Sequence, residues 1–234
     1  VSFDVAYSGN ATCAPSRAAI LTGRYATRFG FEFTPTPKEF MQVVTRMERP
    51  GQTLHRAIYF GDGGPSQPAY QDMGLPQSEI TLARLLQGAG YHTAQIGKWH
   101  LGENVESQPQ HVGYDDFYGF LSVSDMYTEW RDPHFFPEIV YSDARTEWVK
   151  NMPFNRCFVH AKKGQELTNV EEVTIPVLSE LDEKWCNYSS EFIRKQAKSD
   201  RPWLLYHCTR GAHFDNYPHE KFLGKSPAKH PYKD

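Results

Sequence analysis

Apolar positions recur with the period of a helix in two segments of this chain. The first segment, 78–90, has Ser78 as a candidate N-cap and a glycine-rich end. Its apolar residues are Ile80, Leu82, Leu85 and Leu86. In the second segment, 178–198, the apolar residues are Leu178, Leu181, Trp185, Phe192 and Ile193. Residues three and four positions apart share one face of a helix, so both segments are predicted to be helices.

Each of these predicted helices is followed by a short segment typical of a strand. The first, 91–97, reads YHTAQIG and ends at a polar cluster. The second, 201–208, reads RPWLLYHC and is a continuous apolar run after a proline, as expected of a strand buried on both faces. Two helix–strand pairs predict an α/β layered fold with a largely parallel sheet.

A further helix is predicted to begin near Cys13. Pro15 suits the first turn, because its missing N–H would have no helical partner there. Gly23 is placed to end the helix. The preceding residues, 1–12, predict a short strand and a loop.

The remaining segments have weaker patterns. They predict a dense aromatic turn at 113–120, a strand at 171–177 and a loop-like tail at 209–234. We expect a single partial domain over 1–234, with loop- and insert-rich regions at 31–73 and 121–176.

Three polar clusters are predicted to meet at one edge of the sheet. The cluster Lys98–His100 follows one predicted strand, the cluster Cys208–His213 ends or follows the other, and Cys13 precedes a helix. In parallel sheets, ligands bind beyond the carboxyl ends of the strands. The sequence therefore predicts a site at this edge.

Composition excludes some classes of function. The chain has 234 residues, with 25 Lys and Arg against 28 Asp and Glu, and a formal net charge of −3. A nucleic-acid partner usually requires a basic surface, so none is expected. We expect no transmembrane segment, because no apolar run approaches the roughly 18 residues that a spanning helix requires. The cysteines lack the paired spacing of zinc sites; they are Cys13, Cys157, Cys186 and Cys208.

Cys13 has two interpretations, a small buried apolar residue or a group with a chemical role. A residue at a helix N-terminus faces unpaired N–H groups, which favour an anion, and Arg17 lies one turn further on. A cysteine phosphatase loop would place arginine at position 19, which is Ala19, and a redox pair would place cysteine at position 16, which is Ser16. The surrounding sequence matches no cysteine protease pattern.

Another family has the matching pattern. The segment 13–25, CAPSRAAILTGRY, resembles the sulfatase signature C-x-P-S-R followed by L-T-G-R, and 90–102, GYHTAQIGKWHLG, is similar to the second sulfatase signature. The resemblance extends to 111–120 and 201–226. It identifies the chain with the type I sulfatases of the alkaline phosphatase superfamily. The fold this implies is an alkaline-phosphatase-like three-layer sandwich, here truncated at both ends.

The resemblance assigns a role to each candidate residue. In this family the signature cysteine is oxidised to formylglycine, an aldehyde, so Cys13 would be a precursor and not a thiol nucleophile. One hydroxyl of the hydrate attacks sulfur, and deprotonation of the other expels sulfate. Arg17 would hold the hydroxyls and position the loop, and Lys98 would contact the sulfate and the formylglycine. His100 would act as the base, and His213 would contact the sulfate and donate a proton to the leaving alcohol.

The resemblance also implies a calcium ion beside the formylglycine. Calcium takes several oxygen ligands. Apart from formylglycine at Cys13, the family draws them from segments expected outside this chain. Asp4 is too close to Cys13, and the pair Asp215 and Asn216 follows His213 too closely, to replace them. We therefore expect an internal fragment that is incomplete on its own.

The implied activity is hydrolysis of a sulfate monoester. Two alternatives stay open at this stage: a phosphonate or phosphate ester hydrolase of the same superfamily, and a non-catalytic relative that binds sulfated glycans. The expected partners are a sulfated small molecule or glycan and, during maturation, a formylglycine-generating enzyme. Family resemblance favours an exported protein, whether periplasmic, secreted or lysosomal.

Overall fold

A five-stranded sheet forms the centre of the molecule in the computed structural model. The structure describes residues 2–38, 68–128, 130–134, 143, 153–211, 213 and 216–230. The strands are β1 (His92–Lys98), β2 (Asp116–Phe120), β3 (Cys157–Lys162), β4 (Thr168–Glu172) and β5 (Trp203–Cys208). The helices are α1 (Cys13–Thr22), α2 (Leu82–Gly88), α3 (Asp125–Thr128) and α4 (Ile175–Gln196).

The strand order is β4-β3-β2-β1-β5. The strand β1 pairs in parallel with both β2 and β5, so the carboxyl ends of these three strands lie at one edge. The strands β3 and β4 are antiparallel additions. The prediction of a largely parallel α/β sheet is confirmed for its centre, and β3 and β4 make the whole sheet mixed.

Helices cover both faces of the sheet, which gives three layers. On one face, Leu178, Leu181 and Trp185 of α4 share an apolar cluster with Ile96 and Phe120 of the strands. Burial of each such side chain contributes about 1.5–3 kcal/mol. The long helix begins after Thr174, whose side chain accepts a hydrogen bond from the Val177 backbone N–H. The helical pattern in 178–198 is confirmed.

The opposite face of the sheet is covered by α1 and α2. Ala14, Ala18 and Leu21 of α1 share a second apolar cluster with Phe117 and Val159 of the strands. The predicted end of α1 is confirmed, since Gly23 has a left-handed φ of 66° and its N–H donates to the Ala19 carbonyl.

The start of α2 differs from the prediction. Its N-cap is Thr81, not Ser78, because the Thr81 Oγ1 accepts from the Arg84 backbone N–H at 3.0 Å and donates to the Val112 carbonyl. The hydrogen bond to Val112 joins segments that are distant in the sequence, so it could not be predicted from the residues around Thr81.

Three local predictions were wrong. The predicted aromatic turn at 113–120 contains β2. The predicted strand at 171–177 ends at Glu172, and α4 begins at Ile175. The described residues 2–12 form no strand.

The segment 201–208 was correctly predicted to be a strand, but the prediction that this strand is buried on both faces was wrong. β5 is a strand, but Leu204 to His207 are only half-buried, because β5 is the outer strand of the described sheet. Parts of the predicted loop regions, 39–67, 129, 135–142 and 144–152, lie outside the described residues. Among the residues that the structure describes, every helix is too short or too polar to cross a bilayer.

Two glycines allow the strand ends to approach one another. A Cβ on Gly97, which has a φ of 97°, would lie 1.9 Å from the Cys208 carbonyl oxygen of β5. A Cβ on Gly119 of β2 would lie 1.9 Å from the Gly97 oxygen. Only glycine fits such close backbone contacts, so these residues let the ends of β1, β2 and β5 converge beside α1.

Candidate active site

A small cavity lies at the carboxyl ends of the parallel strands, beside the N-terminus of α1. Its volume is about 220 Å³. The side chains that line it include Cys13, Arg17, Lys98, Ser124, Arg210 and His213. Three of these are permanent or near-permanent cations, and no carboxylate is among the described lining residues. The cavity is therefore suited to bind an anion.

Cys13 and His100 are in direct contact at this cavity. The Cys13 Sγ lies 3.3 Å from the His100 Nδ1. His100 is 1% exposed and has a left-handed φ of 61°, which is uncommon for a residue with a side chain. Its backbone is fixed beyond β1, because its N–H donates to the Leu121 carbonyl at 2.8 Å. The contact with Cys13 thus depends on a rigid extension of the sheet.

The surroundings of Cys13 favour its thiolate. Burial opposes ionisation, but hydrogen bonds with His100 and His213 and the charge of Lys98 outweigh it, and together they lower the Cys13 pKa to about 4. Burial lowers the pKa of His100 to about 4 as well. At neutral pH the pair is therefore an anionic Cys13 beside a neutral imidazole.

Arg17 and Lys98 connect the two sequence signatures. The Arg17 Nη1 donates to the Lys98 carbonyl at 2.8 Å, and the Gln95 Nε2 donates to the same oxygen at 2.9 Å. The Lys98 side chain is 4% exposed; burial lowers its pKa, while the neighbouring Cys13 raises it and Arg17 lowers it further. A buried ammonium in this position is stabilised by an anion in the cavity.

His213 reaches the cavity from the segment after β5. It forms a hydrogen bond with Cys13, and its Nδ1 lies 3.6 Å from the Asp125 Oδ1. Burial raises the Asp125 pKa, and the charges of His213 and Lys98 oppose that shift. The structure thus brings the five sequence-predicted residues together: four line the cavity, and His100 contacts Cys13.

Sequence reasoning missed several residues of the site. Asp125, at the start of α3, contacts His213, and Ser124 and Arg210 line the cavity. Ser124 and Asp125 follow β2, which was not predicted as a strand. Arg210 follows the predicted strand β5, so its position after a parallel strand was a usable signal.

The residues present do not fit a calcium ion. Calcium requires several oxygen ligands, mostly carboxylates. No group of three His, Cys, Asp or Glu side chains suited to a metal ion occurs in the described part of the chain. The described cavity lining is cationic, which does not suit a bound cation. The ligands that the resemblance places outside residues 1–234 stay an expectation.

The fold and the site define an α/β protein that holds Cys13 in a cationic pocket at the ends of parallel strands. The family model described as Sulfatase matches residues 1–233. The chain belongs to the sulfatase family.

Curated relatives agree with this assignment. The chain is 32% identical over 204 residues to arylsulfatase G of Rattus norvegicus, which covers 86% of this chain and 32% of that protein. It is 29% identical over 220 residues to N-acetylgalactosamine-6-sulfatase of Canis lupus familiaris, covering 94% of this chain and 34% of that protein. The chain thus spans about a third of the length of these relatives.

Solved structures agree with the fold. The PsFucS1 sulfatase from Pseudoalteromonas sp. superimposes with a TM-score of 0.71 at 27% identity, over 96% of this chain and 39% of that one. Ps i-CgsB in complex with k-i-k-neocarrahexaose has a TM-score of 0.54 at 20% identity, over 97% and 42% of the two chains, and shows likeness of fold alone. The expected α/β fold of the alkaline-phosphatase-like sulfatases is confirmed.

Proposed function

We propose that this chain carries the reactive residue and the anion pocket of an enzyme that hydrolyses sulfate monoesters, with Cys13 converted to formylglycine. The observation that supports this most directly is the shared cavity of Cys13, Arg17, Lys98 and His213, with His100 in contact with Cys13. A sulfate ester presents one negative charge, which this cationic cavity would stabilise.

The chemistry at residue 13 requires a base within hydrogen-bond reach. Formylglycine, when hydrated, supplies one hydroxyl for attack on sulfur and a second whose deprotonation releases the sulfate. The His100 Nδ1 lies 3.3 Å from the Cys13 Sγ, a distance suited to proton transfer with a group at this position. Because burial lowers the His100 pKa to about 4, the imidazole is unprotonated at neutral pH, as a base must be.

Cationic groups would hold the sulfate and stabilise charge as it develops. Lys98 interacts with Cys13, and it would contact both residue 13 and the sulfate. Arg17 fixes the Lys98 backbone, and its guanidinium lines the same cavity. His213, with the Asp125 carboxylate 3.6 Å from its Nδ1, would donate a proton to the leaving alcohol.

We propose a sulfated glycan as the substrate class. One relative is named for an N-acetylgalactosamine 6-sulfate substrate, which supports a sugar sulfate. We further propose that a formylglycine-generating enzyme acts on Cys13 before the fold is complete. In the folded chain Cys13 is only half-exposed at the start of α1, whereas an unfolded segment would offer residues 13–17 as a linear motif.

The compartment is proposed from the family resemblance, which favours an exported protein. Fractionation of cells that produce the full-length protein tests this directly. We expect the protein outside the cytosol, and recovery only from the cytosol would contradict the proposal.

Mass spectrometry and turnover test the proposed activity. After coexpression with a maturation enzyme, the peptide that contains residue 13 should lose about 18 mass units, whereas the oxidation products of a thiol would gain oxygen. The matured full-length protein should hydrolyse 4-nitrophenyl sulfate faster than 4-nitrophenyl phosphate or a phenylphosphonate ester. Cys13→Ala should abolish turnover and leave the circular dichroism spectrum unchanged.

Each alternative has its own result in this experiment. A preference for the phosphate or phosphonate ester would replace the sulfatase assignment with the related hydrolase. An unmodified thiol and no turnover, with retained binding of a sulfated glycan, would indicate a binding protein. Turnover that survives Cys13→Ala would contradict the role of residue 13.

A further inference from the structure

Asp125 lies beside the cavity and contacts His213, but the steps proposed above give its carboxylate no task. Its Oδ1 lies 3.6 Å from the His213 Nδ1, which is a charge contact and too long for a hydrogen bond. The same oxygen is buried and has no hydrogen-bond partner among the residues that the structure describes. Because a buried carboxylate oxygen without a hydrogen bond is costly, a small movement that brings the His213 Nδ1 onto it is favourable.

The backbone that carries Asp125 is held firmly. The next two residues of α3, Met126 and Tyr127, are 0% and 1% exposed, and both belong to the apolar cluster that α4 shares with the sheet. The Met126 N–H donates to the Val123 carbonyl at 3.1 Å, and the Tyr127 N–H donates to the Ser124 carbonyl at 2.9 Å. These contacts fix the position from which the carboxylate reaches His213.

The backbone of His213 is held by the turn that follows β5. Its N–H donates to the Arg210 carbonyl at 3.2 Å, and the Asn216 side chain donates to its carbonyl. These hydrogen bonds leave the ring itself free to rotate, because the last torsion of a histidine side chain is broad. The contacts of the ring therefore decide which nitrogen points toward a bound ester, and they include Cys13 and Asp125.

The charges around Asp125 also connect it with His213. Burial raises the pKa of Asp125, the charges of His213 and Lys98 lower it, and an ionised Cys13 raises it. In the described part of the chain, the ion pair that Asp125 forms is with His213. The carboxylate is thus closer to the proposed proton donor than to the other cation of the site.

We propose that Asp125 is a positioning residue that holds the His213 ring with Nδ1 toward its carboxylate, so that Nε2 points at the ester oxygen of the substrate. This inference rests on the proposed function. As the bond between sulfur and the ester oxygen breaks, the proton moves from Nε2 to that oxygen, and the Nδ1 proton stays on the ring. A carboxylate beside one nitrogen of an imidazole fixes both the tautomer and the orientation of the ring.

The dependence of the rate on the leaving group tests this role. The matured full-length protein is assayed with 4-nitrophenyl, phenyl and 4-methoxyphenyl sulfate, whose alcohols are progressively poorer leaving groups. The 4-nitrophenolate ion leaves readily without a proton, whereas the 4-methoxyphenolate ion gains most from one. Asp125→Asn should therefore lower kcat/KM by about threefold for 4-nitrophenyl sulfate and by about 30- to 100-fold for 4-methoxyphenyl sulfate. A merely structural defect would lower all three rates by the same factor.

Three further variants sharpen the comparison. Asp125→Glu keeps the carboxylate and should restore most of the rate with 4-methoxyphenyl sulfate. His213→Gln should show the same unequal loss, and adding Asp125→Asn to it should change the rates little further, because both act through one ring. Asp200→Asn removes an exposed carboxylate before the start of β5, at the opposite edge of the sheet, and should leave all rates within about twofold.

The His213 ring can also be measured without turnover. The full-length protein, unmatured and labelled with ¹⁵N on histidine, is studied by NMR, and the His213 signals are assigned by their absence in His213→Gln. In the parent protein Nδ1 should have the chemical shift of a protonated nitrogen at neutral pH. Asp125→Asn should move this shift toward the unprotonated value, because the amide can donate to Nδ1. If Asp125→Asn does not fold, as judged by circular dichroism, the parent spectrum and Asp125→Glu decide the question.

Either of two results would overturn the inference. One is an unprotonated Nδ1 of His213 in the parent protein. The other is an effect of Asp125→Asn that is equal for the three esters, including no effect on any of them. Failure of the proposed function is a separate result, seen as no turnover of any sulfate ester by the matured parent protein. The NMR signal of Nδ1 would still decide whether Asp125 positions the ring.

Discussion

The Arg17 guanidinium donates a hydrogen bond of 2.8 Å to the carbonyl oxygen of Lys98, 81 residues further along the chain. This contact joins the helix that begins at Cys13 to the end of the central strand β1. The Gln95 side chain donates to the same oxygen and completes its surroundings. The two signature segments are therefore held together by a backbone contact as well as by the chemistry of the cavity.

Loss of this contact should destabilise the protein. Arg17→Gln removes a charged donor to a part-buried carbonyl, and we expect a loss of about 1–2 kcal/mol in the free energy of unfolding, measured by urea denaturation. Arg28→Gln, at an exposed position after α1, is the matched control and should change stability by less than about 0.5 kcal/mol. Equal effects of the two variants would contradict a specific role for the Arg17 contact.

Unmodified Cys13 should react as a thiolate in mildly acidic solution. Its pKa is lowered to about 4, whereas burial raises the pKa of Cys157, so at pH 6 iodoacetamide should label Cys13 well before Cys157. His100→Ala removes a hydrogen bond that favours the thiolate and should move half-labelling of Cys13 to higher pH. The rates are read by mass spectrometry of the two peptides.

A second histidine variant tests whether the change in Cys13 labelling is specific to His100. His111→Ala changes an exposed histidine and should leave the pH dependence of Cys13 labelling unchanged. Labelling of Cys13 only above pH 8 in the parent protein would contradict the electrostatic account of the site.

A side chain at Gly97 should disrupt the convergence of the strand ends. In Gly97→Ala the Cβ would lie 1.9 Å from the Cys208 carbonyl oxygen, at a φ of 97° that alanine rarely adopts. We expect a loss of at least about 3 kcal/mol in unfolding free energy. Gly88→Ala, at the end of α2 with open space around its Cβ, should be neutral or slightly stabilising. A stable Gly97→Ala protein with normal unfolding would contradict the close approach of β1 to β5.

Glu103 should make stability depend on pH in the neutral range. It accepts hydrogen bonds from the Tyr70 hydroxyl and the Asn155 N–H, both at 2.8 Å, and burial raises its pKa to about 7. The carboxyl group of Glu103 has a pKa of about 4.3 in the unfolded chain, so between this value and the folded pKa only the native state keeps the proton. The stability that the protonated carboxyl contributes is therefore lost as pH rises through about 7.

Glu103→Gln should therefore gain stability relative to the parent protein as pH rises from 5 to 8, because its side chain is always neutral. Urea denaturation at several pH values measures the difference. Glu106→Gln, at an exposed position nearby, is the control and should show a flat difference. A flat difference for Glu103→Gln as well would contradict the burial of this carboxylate.

The sequence pattern predicted correctly those helices whose start, end and apolar face are marked by residues of the helix itself or next to it. The helix α1, with Pro15 and Gly23 as its signals, and the apolar stripe of α4 were correct. The strand β2 was mistaken for a turn, because its glycine and aromatic residues are typical of turns in isolation. They suit a strand here only because Gly119 packs against Gly97 of β1.

The candidate site was predictable to a similar extent. Cys13, Arg17, Lys98 and His100 lie in the two signature segments, and His213 was found by resemblance over 201–226, where the residues that flank it differ from the family's pattern. Asp125 and Ser124 were missed because they follow the unpredicted strand β2, and their approach to His213 and the cavity is a long-range contact.

The family, the candidate reactive cysteine and the positions of the main helices could be read from the residues alone, because those features depend on short motifs and on the periodicity of apolar side chains. The mixed sheet, the convergence of strand ends at Gly97, and the place of Arg210 in the cavity wall became visible in the folded chain. These features depend on close backbone contacts and on charge interactions between segments that are far apart in the chain. Such long-range contacts produce no pattern in the local sequence.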